Sequence, residues 1–161
     1  LHRGSVDINK SIYFSLSAYE RIKTSSVNVS ISGTASNKGN SSISMSGVNS
    51  SVISVNLTND TKIPNKAIVT RISSSGTQSP SQGNVHHMIM PASNGNWYTS
   101  TVSSASSGHY NIDIDDGIPV KQKWSFKYNA LATAKSTMRN VKLTIEFQYD
   151  LHDTDYETYI R

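Results

Sequence analysis

The sequence predicts an all-β protein, an antiparallel sandwich or barrel, and three observations carry that expectation. Short runs with an apolar residue at every second position recur along the chain, the mark of strands with one buried face. Turn formers separate these runs at intervals of about 8 to 12 residues. No helical segment lies between the runs to carry a parallel crossover, so neighbouring strands are expected to be antiparallel.

Taken in order, the first run is SVDINKSIYFSLSA, where Val6, Ile8, Ile12, Phe14, Leu16 and Ala18 fall on one face with Lys10 as the interruption. A segment so near a terminus needs a partner to order it, within its own domain or in another molecule. Val27, Val29 and Ile31 alternate next, then Ile43 and Met45, then Ile53, Val55 and Leu57. AIVTRI (67–72) and VHHMIM (85–90) read as strands with both faces partly covered. In the second half Tyr98 and Val102 alternate, as do Tyr110, Ile112 and Ile114, and then Trp124, Phe126 and Tyr128. Val141, Leu143, Ile145, Phe147 and Tyr149 form the strongest signal of all.

Between these runs lie Gly33, NKGN (37–40), ASNGN (92–96), SSGH (106–109) and DDG (115–117). Their Gly, Asn, Asp and Ser residues favour turns. SSSGTQSPSQGN (73–84) reads as a long surface loop, and ALATAKSTM (130–138) as a short helix or a loop with one helical turn. No repeat of fixed period is present, which argues against a solenoid or propeller.

At 161 residues the chain suits one domain with a proper core. The expected division is a terminal extension over 1–18 and one sandwich over 19–161. LHRGS at residues 1–5 reads as a processing or cloning remnant, and the tail at 150–161 as a further strand of this domain or an engineered piece. Charged residues make up only 16% of the chain, well under the usual ~25%. Serine fills the difference at roughly 18%, a composition unlike that of a cytosolic enzyme and suited to the outward faces of strands. The net charge is +4, but the 15 Lys and Arg residues are scattered singly, so no nucleic-acid partner is expected. There is no cysteine, so no disulfide holds the fold. No apolar run is long enough to span a membrane as a helix.

Few residues offer chemistry. Asp113, Asp115 and Asp116 before Gly117 resemble half of a calcium loop, yet IPVKQKW follows where a further carboxylate is needed. His86 and His87 are adjacent and point to opposite faces of a strand, so they cannot share a metal. Nucleophile-elbow, S-x-x-K and phosphate-loop motifs are all missing. The reading is therefore no enzyme, no metal and no cofactor. Sequons such as those at Asn28, Asn40, Asn49, Asn56 and Asn59 are what a chain rich in Ser and Asn produces by chance. Among the aromatic residues, Trp124, Phe126 and Tyr128 belong in a core, whereas Trp97 and Tyr98, beside a turn, are the candidates for ligand contact.

The succession NGNWYTSTV, HYNIDIDDGIPV, KWSFKYNALAT and NVKLTIEFQYD resembles the second half of chaperone–usher fimbrial subunits, in particular the cysteine-free pilins that build thin or capsule-like fibres. The resemblance implies an immunoglobulin-like antiparallel β-sandwich, incomplete and completed by a donor strand from a neighbouring copy. Val6, Ile8, Ile12, Phe14 and Leu16 are then the donor strand, and Val141, Leu143, Ile145, Phe147 and Tyr149 one edge of the acceptor groove. It further implies head-to-tail polymerisation with copies of the same chain, a periplasmic chaperone, an outer-membrane usher, an extracellular fibre on a bacterial surface, and adhesion to a host receptor or glycan. AKSTMRN departs from the pattern by lacking the glycine and aromatic that precede the final strand. Another secreted β-sandwich module remains open beside it: a biofilm-matrix fibre, a carbohydrate-binding adhesin, a pore former, or a viral or phage structural protein.

Overall fold

The computed structural model describes residues 22–41, 45–81, 84–101, 110–114 and 116–151. Ten strands carry the chain: β1 (Ile22–Ile31), β2 (Ala35–Asn37), β3 (Val48–Asn49), β4 (Ile53–Asn56), β5 (Ile68–Ser79), β6 (Val85–Pro91), β7 (Tyr98–Thr99), β8 (Tyr110–Ile112), β9 (Lys123–Ala130) and β10 (Ser136–Asp150). They form two antiparallel sheets, and no helix occurs among the described residues. The predicted all-β sandwich is the observed one.

The strand order within the sheets is specific. One sheet runs β1-β10-β5-β8, with β2 continuing the line of β1 along β10; the other runs β3-β9-β6-β7, with β4 continuing β3 along β9. Each sheet thus has four positions; with β1/β2 and β3/β4 each counted as one, the chain changes sheet at every step except β6 to β7, as in a jelly roll. An immunoglobulin-like sandwich places consecutive strands differently, so the finer topology departs from the one that the resemblance implied. All eight positions are filled by the described residues.

Alternation explains the core. On β10, Met138, Val141, Leu143, Ile145 and Phe147 are buried, and on β9 Trp124, Phe126, Tyr128 and Ala130 are buried opposite them. The bulge between Arg139 and Lys142 resets the phase of β10, which is why Met138 and Val141 both face inward. Trp124 is fully buried and its indole donates to the Val120 carbonyl at 2.9 Å, so its polar atom is satisfied where water cannot reach.

Four expectations are corrected. Val141, Leu143, Ile145, Phe147 and Tyr149 are not a groove edge: β10 is flanked by β1 on one side and β5 on the other, and its backbone groups are committed to both ladders. SSSGTQSPSQGN is not a loop throughout, because Ser73–Ser79 belong to β5. Their inward residues are Ser74, Gly76 and Gln78, so the period of two is written in small and polar side chains. Gly76 leaves room for Met138, since a Cβ there would lie 2.9 Å from the Met138 sulfur and the thioether would have to shift. Residues 130–138 form no helix either; β9 ends at Ala130 and β10 begins at Ser136. Met45, expected in a strand, lies in a turn and is 97% exposed. Val6, Ile8, Ile12, Phe14 and Leu16 lie outside the described residues.

Candidate ligand-binding site

The β6–β7 turn is built from local chemistry. Gly95 takes φ +70°, a backbone region that favours glycine, and its amide donates to the Pro91 carbonyl at 3.0 Å. The Asn94 side chain accepts from the Asn96 amide at 2.9 Å, an Asx turn that aims the chain back along β6. Ser93 N donates to Gln122 Oε1 at 2.7 Å, which ties this turn to the start of β9. The turn therefore delivers Trp97 and Tyr98 in a fixed register, Tyr98 opposite Ile89 and Thr99 opposite Met88.

The two aromatic residues then diverge, as neighbours on a strand must. Tyr98 packs partly against the core, and its hydroxyl lies between two loops. It accepts from Asn94 Nδ2 at 2.9 Å and donates to Asp116 Oδ2 at 2.8 Å. The Asp116 carboxylate holding that proton, together with partial desolvation, keeps the phenol above its ordinary range. Trp97 meets Lys127 of β9, whose Nζ is 4.1 Å from the ring centroid, within cation–π distance. Because β6 lies between β7 and β9, this contact forms across the outward side of β6, where His86, Met88 and Met90 are half-buried.

The result is a half-buried indole with an ammonium on it, on an outward sheet face, followed in the chain by a phenol turned the other way and anchored at the loop edge by an amide and a carboxylate. Such a site can offer an apolar aromatic surface flanked by donors and acceptors, the mixture that small-ligand sites use. Of the residues expected from sequence, the structure brings Trp97 and Tyr98 to this place. Trp124, Phe126 and Tyr128 go to the core, as their alternation predicts. Asn94, Asp116 and Lys127 were not anticipated as site residues. Lys127 shows in sequence only as the outward residue between Phe126 and Tyr128, and Asp116 only as part of a turn.

His86 and His87 separate as expected. His87 is fully buried and stacks on Tyr110 with centroids 3.6 Å apart, while His86 is half-buried with Nδ1 3.0 Å from the Ser100 carbonyl. No group of three or more metal-ligating side chains occurs among the described residues.

Fold and site together define an antiparallel β-sandwich module of jelly-roll order with an aromatic pair at one sheet margin. No family model matches the chain. It is similar to the uncharacterized protein YbdN of Bacillus subtilis (strain 168), 52% identical over 141 residues, which is 88% of this chain and 50% of that protein. The chain thus spans about half the length of this curated relative. Solved structures with some likeness include a CBM29-2 mutant complexed with mannohexaose (8% identity, 76% of this chain and 92% of that one, TM-score 0.38). Others are the xylan binding module CBM86 of Roseburia intestinalis (7%, 76% and 96%, 0.39) and the cyanophage Pam1 capsid (15%, 79% and 84%, 0.35). At these scores they carry no weight for what this chain binds.

Proposed function

We propose that this chain is a glycan-binding β-sandwich module of an exported protein, acting by adhesion and not by catalysis. The observation that carries the reading is Trp97, an indole on an outward sheet face with Lys127 on its ring, at a turn whose edge also carries the Tyr98 phenol fixed by Asn94 and Asp116. Sugar rings present C–H faces and hydroxyl edges, so an aromatic surface with adjacent amide, carboxylate and ammonium groups complements both. The supporting experiment is affinity electrophoresis of the full chain through gels holding different soluble polysaccharides. Retardation by at least one neutral polysaccharide, relieved by Trp97→Ala, is the expected result.

A second reading keeps the fibre subunit, favoured by one observation. Along β1 the side away from β10 has no partner among the described residues, and the alternating segment 5–18 precedes β1 directly in the sequence. An extended segment adding to such an edge gains a row of backbone hydrogen bonds. Repeated head-to-tail, that addition makes a filament. A ladder of SDS-resistant multimers that collapses on boiling, and is missing when residues 1–18 are removed, is the outcome this reading requires.

A further inference from the structure

The opposite margin of the sandwich carries a different surface. β1 leaves β10 after the pair Ile31–Val141, and β2 rejoins it at Ala35–Met138. In the gap the chain turns through Gly33 at φ +105°, while β10 bulges at Asn140 with φ +55°. Asparagine is among the few residues that adopt that conformation readily. These two irregularities open a cavity of about 470 Å³ lined by Ser30, Ser32, Asn140, Arg139 and Lys142 over a floor of Ile31 and Val141. A second cleft of about 320 Å³ follows at the end of the same seam, where Lys38 and Lys135 stand among Ser36, Ser79 and Thr137. Neither lining contains an acidic residue.

Four cations therefore follow one seam. From Lys142 to Lys135 along β10 is roughly 23 Å at about 3.3 Å per residue, the reach of several units of a linear polymer. The first cavity lies within the ~300–1,000 Å³ of small-molecule sites and is larger than a bare oxyanion needs. The Arg139 guanidinium can hold a carboxylate through two parallel hydrogen bonds. Serine and threonine hydroxyls and the Asn140 amide suit the hydroxyls that surround such a carboxylate on a sugar. No aromatic side chain lines either cleft, so the base stacking that single-stranded nucleic acid exploits has no platform here.

We infer that the β1/β2–β10 seam binds an acidic polysaccharide of the uronate class, with Arg139 and Lys142 at the principal subsite. This inference uses none of the residues of the Trp97 site and stands apart from it. Its test is isothermal titration of the full chain with a short oligogalacturonate, a neutral maltooligosaccharide of equal length, and inorganic polyphosphate. Saturable binding of the oligogalacturonate is expected, at least about tenfold weaker in Arg139→Gln/Lys142→Gln, weakened less in Arg139→Lys, and unchanged in Trp97→Ala. All four side chains are exposed, so unaltered thermal unfolding of the variants checks that the fold is kept. No saturable binding, equal binding by polyphosphate, or binding unaffected by the double substitution overturns the inference.

Discussion

Ser74 of β5 and His87 of β6 join the two sheets through the core: Ser74 Oγ lies 2.7 Å from His87 Nδ1, and both residues are buried. The imidazole is also stacked on Tyr110 and meets Phe126 edge-on at 5.2 Å. Its Nε2 has no hydrogen-bond partner among the described residues. A buried polar pair contributes to stability only while each partner keeps the other.

Removing one partner is therefore expected to cost more than removing both. Ser74→Ala strands Nδ1 in the core and should destabilise by ~1–3 kcal/mol. The double variant Ser74→Ala/His87→Phe retains a ring against Tyr110 and should lie closer to wild type. Urea unfolding of the single and double variants measures the difference.

Acid should weaken the fold through the same histidine. Burial lowers the His87 pKa to about 3, against about 6.5 for an unfolded histidine. Between these values the unfolded chain takes up a proton that the folded chain refuses. Stability from this residue is thus fully present above pH ~6.5 and declines as pH falls towards ~3, by a total on the order of 4–5 kcal/mol. Unfolding free energies at pH 7, 5 and 4 should show that slope in wild type, and Ser74→Ala/His87→Phe should be flatter.

Two glycines of positive φ should respond differently to alanine. Gly39 has φ +88° and a Cβ there would press into the Thr133 carbonyl, whereas Gly95 has φ +70° and open space around it. Gly95→Ala is expected to cost ~1 kcal/mol of backbone strain, and Gly39→Ala ~3 kcal/mol or more. Thermal denaturation of the two variants side by side tests the ordering.

Because the described strands fill every position of both sheets, residues 22–151 should fold cooperatively by themselves. Within that core, Ile145→Ala should destabilise by ~2–5 kcal/mol, since Ile145 is fully buried between β1 and β5. Circular dichroism and size-exclusion chromatography of the shortened chain provide the check. A molten or aggregating product would mean that a structural strand is missing from it.

How far the fold was legible depends on what lined each strand. Val27–Ile31, Trp124–Tyr128 and Val141–Tyr149 announce themselves because large apolar side chains mark one face. Ser73–Ser79 does not, because its buried face consists of Ser74, Gly76 and Gln78. Those residues bury well only because His87, Met138 and Ser136 meet them, and such partners are distant in sequence. Whether β10 sits at an edge or at the centre is likewise a property of its neighbours. Its buried row looks the same in both places, which is how a central strand passes for a groove edge. At the site, Trp97 and Tyr98 stand out by type and by their nearness to a turn. Lys127 and Asp116 join them only through the pairing of β6 with β9 and the approach of two loops.

Glycan binding through Trp97 is measured most directly by the electrophoretic mobility of wild type and Trp97→Ala through gels containing each of a panel of neutral polysaccharides. At least one polysaccharide is expected to retard the wild type while the variant runs freely in it, with both proteins unfolding at the same temperature. Equal mobility of the two proteins in every gel would rule out glycan binding through Trp97.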